Sequence, residues 1–172
     1  FGVVADAVKD LAAKVDAQVA AAELESAAVE ELRSEADALR VGAFAAVDRG
    51  QTAKGEEQWA RYIAMIPDVE SGMARAAQQL EIALSLASWR DDVRGRLLDA
   101  LLRRAFLVEA SGRGTLAVQD QLDRLRLYDT TGERLKQWDA PAQLHVKSEP
   151  PGARIVLERY VNDSGQRRIA RA

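Results

Sequence analysis

Apolar residues recur at steps of three and four through the first 47 positions of the chain. Val4, Val8, Leu11, Val15, Val19 and Ala22 form one run, and Val29, Leu32, Ala36, Leu39 and Ala43 continue it. Such steps return to one side of a 3.6-residue helix, so the pattern predicts a long amphipathic helix over residues 1–50. No Pro or Gly interrupts it before Gly42, and Gly50 supplies an end signal. Large apolar residues are sparse between Ala20 and Ala28, which leaves open one long helix or a bent one. A helix of this length cannot bury its own stripe and must lie on the rest of the chain or on a copy of itself. Val15–Val19 adds a second step of four, and Gln18 falls at a seam position. This departure from a strict 3.5-residue repeat favours packing within the chain, giving a monomer or a weak homodimer.

Residues 51–125 continue the helical period. Residues 56–66 read as a short helix stopped by Pro67, and Asp68 or Ser71 can cap the next one, which carries Met73, Ala77, Leu80, Leu84 and Leu86. Ser88 stands as an N-cap before Asp91 and Asp92, acids suited to the positive end of a helix dipole. The helix over 90–110 is strongly apolar through Val93, Leu97, Leu98, Leu101, Leu102, Phe106 and Leu107, and residues 111–114 end it. Thr115 can cap a further helix to about Leu125. Capped helices joined by short turns suit an antiparallel bundle and loosely resemble tetratricopeptide repeats, although the repeat's fixed Trp, Gly, Tyr and Pro positions are not in register.

Near Leu125 the period changes from 3.6 to 2. Leu125, Leu127, the turn Asp129-Thr-Thr-Gly132, Leu135 and Trp138 read as a β-hairpin, and residues 139–141 as a linker. Leu144 and Val146 then alternate with His145 and Lys147, and Ile155 and Leu157 alternate after a turn at 148–153. The expected fold class is therefore α+β: an antiparallel, tetratricopeptide-like helical bundle that is mainly α, followed by a small incomplete antiparallel β domain over 126–172.

Composition supports helices first. Of 172 residues, 48% are hydrophobic but only 5% aromatic, and Ala and Leu lose little side-chain freedom in a helix. The net charge of -3 creates no general attraction for nucleic acid. Nine acids against four bases in residues 1–40, and six bases against three acids in residues 147–172, mark two differently solvated modules. The absence of cysteine excludes disulfides, thiol nucleophiles and Cys-ligated metals. The chain opens on Phe-Gly-Val-Val and stops in a strand-like stretch, as expected of a piece of a longer polypeptide whose membrane anchor would lie outside it.

Residues 144–157, Leu-His-Val-Lys-Ser-Glu-Pro-Pro-Gly-Ala-Arg-Ile-Val-Leu, resemble the opening of a PEGA domain, a small bacterial β-sandwich named after its turn, and the resemblance implies that residues 142–172 are the start of such a domain. The turn here is Pro150-Pro151-Gly152-Ala153, where Pro presets φ and Gly152 permits a positive one. With a helical segment ahead of it, the region is similar to the extracytoplasmic part of some membrane-anchored bacterial serine/threonine kinases. The resemblance implies an extracytoplasmic, non-catalytic interaction, sensor or connector role, with a protein or peptide partner and no cofactor. The alternative is a coiled-coil stalk that dimerises the parent protein and recognises no ligand.

Candidate chemistry is thin. His145 is the only histidine, on a strand and without Cys, so it reads as an exposed residue rather than a metal ligand. The adjacent acids Glu30–Glu31, Glu56–Glu57 and Asp91–Asp92 point about 100° apart on a helix and do not converge as general acid and base. Arg94, Arg96, Arg103, Arg104 and Arg113 form a basic edge, better explained by ion pairs with Asp91, Asp92, Asp99 and Glu109 than by an anion site. If the helices enclose a groove, Trp59 and Tyr62 are the first candidates to line it. No catalytic and no metal-binding residue is assigned.

Overall fold

A computed structural model describes the backbone of residues 2–112, 114–141, 145–147, 149, 152, 154, 156, 158–163 and 166–171, with side chains from Val4 to Val156 within those ranges. Five helices follow one another: α1 Gly2–Asp48, α2 Thr52–Leu86, α3 Asp91–Ala110, α4 Thr115–Tyr128 and α5 Glu133–Trp138. None of them is long and apolar enough to cross a membrane.

The frame is an antiparallel hairpin of α1 and α2. On α1, Val15, Ala22, Val29, Ala36 and Ala43 are buried, each seven residues after the last, with Leu39 and Ala46 in a second row. On α2 the matching rows are Gly55, Tyr62, Val69, Ala76 and Ala83, and Ile66, Met73 and Leu80. Equal seven-residue rows on both helices keep one seam facing the other along the whole pair, as in a coiled coil. The row from Val15 to Ala43 is therefore regular where α2 covers it, and the irregular steps read at Gln18 and Val19 fall outside that row. Small side chains also let the backbones approach. A Cβ on Gly72 would lie 2.8 Å from Val29 Cγ2, and one on Gly55 would lie 2.9 Å from the Ala43 carbonyl oxygen. Arg75 Nε donates to Glu25 Oε2 at 2.9 Å across the pair.

Helix α2 runs straight through Pro67, which the sequence reading took as a stop. Pro67 removes one backbone donor, a cost of about 3 kcal/mol in a helix interior. Against that, Tyr62 and Ile66 before it and Val69 and Met73 after it all bury in one seam. Each such side chain contributes roughly 1.5–3 kcal/mol, and a break at Pro67 would turn half of them out of register. Asp68 and Ser71 consequently sit inside α2 and cap nothing.

Helix α3 covers α2 and α4 through Val93, Leu97, Leu101, Leu102 and Ala105, joined in one core with Leu80, Leu84, Leu122 and Leu125. Its N-cap position is Arg90 rather than Ser88, with Asp91 and Asp92 in the first turn as expected. Arg90 holds Asp92 through Nε at 2.8 Å and reaches Asp16 at 3.2 Å, and the guanidinium lowers the Asp92 carboxyl to about 2. On α4, Arg124 donates to Glu81 through Nε at 2.9 Å and Nη2 at 2.6 Å. Nearby Arg104 is 8% exposed. Its Nε and Nη1 make no hydrogen bond among the described residues. Burial, and then the like charge of Arg124, push its pKa down.

The α+β expectation is corrected: the fold is all-α. Residues 126–138, read as a β-hairpin, form the end of α4 and the short α5. The misreading has a local cause in Asp129. Its buried carboxylate accepts the backbone N–H groups of Arg134 and Leu135, both at 2.9 Å, so the Asp-Thr-Thr-Gly turn starts a helix instead of reversing a strand. Gly132 takes the left-handed conformation this turn needs, at φ 70°. Helices of 47 and 35 residues also exclude a stack of short, equal tetratricopeptide pairs. Beyond α5, Glu158–Asp163 and Gln166–Arg171 pair as one antiparallel ribbon, and two strands alone form no β domain. Half of the PEGA-like stretch at 144–157, including Pro150, Pro151 and Ala153 of its turn, lies outside the described residues. Gly152 does take φ 94°, and His145 is exposed.

Candidate functional site

Helix α3 packs on α2 and stands off α1. The divergence opens a groove with α1 and α3 as walls and α2 as floor, over residues 22–40 of α1. At a rise of 1.5 Å per residue that is about 27 Å long. Its upper end is a cavity of about 260 Å³ between Ala22, Glu23 and Ser26 on one wall and Arg96, Asp99 and Ala100 on the other, above Leu80. A waist follows at Ser26, Val29, Ala100 and Arg103, above Met73 and Ala76. The lower end is a cavity of about 300 Å³ walled by Arg33, Asp37, Arg40, Arg103, Phe106 and Leu107, with Tyr62 and Met73 below. Arg103 lines all three parts.

The floor is apolar because the rows that α2 presents to α1 continue towards α3: Leu80, Ala76 and Met73 lie about one turn apart on one face, and Tyr62 lies about three turns further along it. The walls are charged because these are the outward positions of two amphipathic helices. Most wall charges are already paired. Arg33 donates to Glu30 at 2.6 Å and to Asp37 at 3.0 Å, which lowers the pKa of Glu30, chiefly through the hydrogen bond. Arg96 binds Glu23 across the upper mouth, and Asp99 accepts from Arg134 Nε at 2.7 Å. Two guanidinium groups differ. Arg40 Nε is buried without a hydrogen bond, its nearest acid being Asp37 at 3.7 Å. Arg103 forms no ion pair of its own among the described residues, acting on Glu30 only through its field.

Of the two residues named from the sequence, Tyr62 lies on the floor of the lower cavity, and burial pushes its phenol up from the usual range. Trp59 is beside the groove, stacked between Phe44 at 5.7 Å and Tyr62 at 5.1 Å, where it supports the floor. The structure adds Arg40, Met73, Ala100, Arg103 and Phe106. Arg103 was visible only as one of a basic series. That series divides, since Arg94 pairs with Asp91 at 2.6 Å, Arg104 turns inward, and Arg113 is outside the described residues. Phe106 of α3 and Trp138 of α5 pack ring against ring at 5.0 Å and brace α5 against the outer side of the groove.

The chemistry on offer is recognition: an apolar trough with alternating charges along its rim and two cations lacking full partners. Among the described residues no group of acids and histidines is placed to hold a metal ion. No protein-family profile, no curated protein and no solved structure matches this chain.

Proposed function

We propose that this chain is a non-catalytic interaction module that takes a segment of a partner protein into the groove between α1 and α3. The observation behind it is the standing apart of these two helices over about 27 Å, which leaves cavities of about 260 and 300 Å³ above the buried apolar side chains Leu80, Met73 and Tyr62. A groove of this shape accepts the apolar face of an amphipathic segment, whose flanking charges then meet the rim. An acidic side chain near Arg40 and Arg103 would supply the acceptors those groups lack. A wider setting as an extracytoplasmic connector in a bacterial signalling kinase rests on the PEGA-like residues 144–157 alone.

Selection of displayed random peptides on the folded chain tests the groove. The selected peptides should lose tenfold or more in affinity against Ala100→Trp, which fills the waist, and against Arg103→Glu, which inverts its charge. Peptides that bind both variants as tightly as the original chain would place recognition elsewhere and sink the proposal.

A further inference from the structure

The lower cavity of the groove differs from the rest in what it leaves unbonded. Tyr62 lies on its floor and is 1% exposed, yet its hydroxyl makes no hydrogen bond among the described residues. The phenol feels the charges of Arg40 and Asp37, both in the cavity wall, so the hydroxyl is the end of the ring turned towards it. Arg40 Nε is buried without an acceptor, and Arg103, in the same wall, forms no ion pair among the described residues. The acid of that wall, Asp37, is already taken by Arg33 at 3.0 Å. Buried donors without acceptors are unfavourable in the isolated chain, and these converge on one cavity of about 300 Å³. Met73, Phe106 and Leu107 make the lining beside them apolar. The charged rim also stops here. The next residue on this face of α1 after Arg40 is Phe44, stacked on Trp59 at 5.7 Å, and α3 ends at Ala110.

We propose that the lower cavity captures the free C-terminal carboxylate of a partner chain, with that chain's last, apolar side chain set on Met73 and Phe106. The inference rests on the groove reading and gives it a direction, the segment lying with its C-terminus at the lower end. Capture of a chain end by its carboxylate is a recurring mode of peptide recognition, and guanidinium–carboxylate bonds are among the strongest hydrogen bonds. A terminal residue carries its carboxylate and its side chain on one Cα, so both enter a single cavity. An internal aspartate or glutamate brings the charge alone, because the apolar residues on its face lie three or four positions away. The cavity is at the small end of the range for ligand pockets, about 300–1,000 Å³, which suits one residue.

Three single-residue probes test this by NMR of the arginine Nε–H signals of the whole chain: acetyl-leucine, its amide, and acetyl-aspartate with the α-carboxyl amidated. Acetyl-leucine should shift the Arg40 and Arg103 signals with a dissociation constant of about 1 mM. The other two, one without charge and one with only a side-chain carboxylate, should bind tenfold more weakly or worse. Tyr62→Phe, which removes only the hydroxyl, and Arg103→Gln should each weaken acetyl-leucine fivefold or more with the circular dichroism unchanged. Ala100 lines the waist and not the lower cavity, so Ala100→Trp should leave acetyl-leucine binding intact while it weakens the longer selected peptides. Failure of the groove reading therefore shows in the peptides, and failure of this one in acetyl-leucine. No shift at either arginine, binding of the amide or of the aspartate derivative as tight as that of acetyl-leucine, or binding unchanged in both Tyr62→Phe and Arg103→Gln would each overturn the proposal.

Discussion

Replacing Gly72 with alanine separates helix propensity from the close approach of α1 and α2. In an open helix interior the change stabilises by roughly 0.5–1 kcal/mol, because glycine loses more backbone freedom on folding. Gly95 in α3 is such a position, with nothing within 4 Å of an added Cβ. At Gly72 the new Cβ would fall 2.8 Å from Val29 Cγ2 and 3.0 Å from Val29 Cβ. Val29 is buried and β-branched, so it has little rotamer freedom with which to give way. Overpacking of a filled core costs about 1–3 kcal/mol, leaving Gly72→Ala less stable by about 1–2 kcal/mol. For a chain of this length each kcal/mol moves the melting temperature about 2–4 °C. Thermal and urea unfolding should therefore show Gly95→Ala melting higher and Gly72→Ala lower than the parent. In a Val29→Ala background, which removes the opposing methyl groups, Gly72→Ala should become stabilising. A Gly72→Ala variant that gains as much as Gly95→Ala with Val29 intact would refute the close seam.

Four further outcomes follow from single contacts. Arg104→Met keeps the aliphatic stem while removing two buried donors without partners, and it should raise stability by about 1 kcal/mol in urea unfolding. Asp129→Ala should cost about 1.5–3 kcal/mol and release α5, read as a loss of near-ultraviolet dichroism from the Trp138–Phe106 stack. Pro67→Ala restores one backbone bond in α2 and should stabilise by about 1–3 kcal/mol; a loss would mean that the helix needs the proline. The Asp92 carboxyl, lowered by Arg90, should titrate near 2 by NMR. Its folded-state value lies below the unfolded one, so its contribution is complete above the ordinary aspartate range and is lost as pH falls towards 2. A midpoint at the ordinary value would remove the ion pair.

The helical character of the first 125 residues was legible because it is written locally, in steps of three and four and in abundant Ala, Leu, Glu and Arg. The same pattern gave Tyr62 as a groove candidate and Asp91 and Asp92 as first-turn acids. Local signals also misled. Pro67 carries the same stop signal whether or not the residues beyond it share a seam with those before it. Asp129-Thr-Thr-Gly132 serves a hairpin or a helix start equally well, and the choice fell to two backbone N–H groups that the buried Asp129 carboxylate accepts. The walls of the groove were not legible, since Arg40 lies on α1 and Ala100 and Arg103 on α3, and they line one groove only because α2 packs against both helices.

The sequence by itself determined the helical period of the first 125 residues, because periodicity is a property of one element. It also set the limits of the chemistry, with no cysteine and one histidine. The tertiary structure decided where helices end, how closely they approach and what stays uncovered. Those outcomes depend on sums over partners distant in sequence: Val29 against Gly72, Glu81 against Arg124, Arg103 beside Arg40. A proline penalty or a turn propensity of a few kcal/mol is outweighed when several buried side chains depend on the alternative.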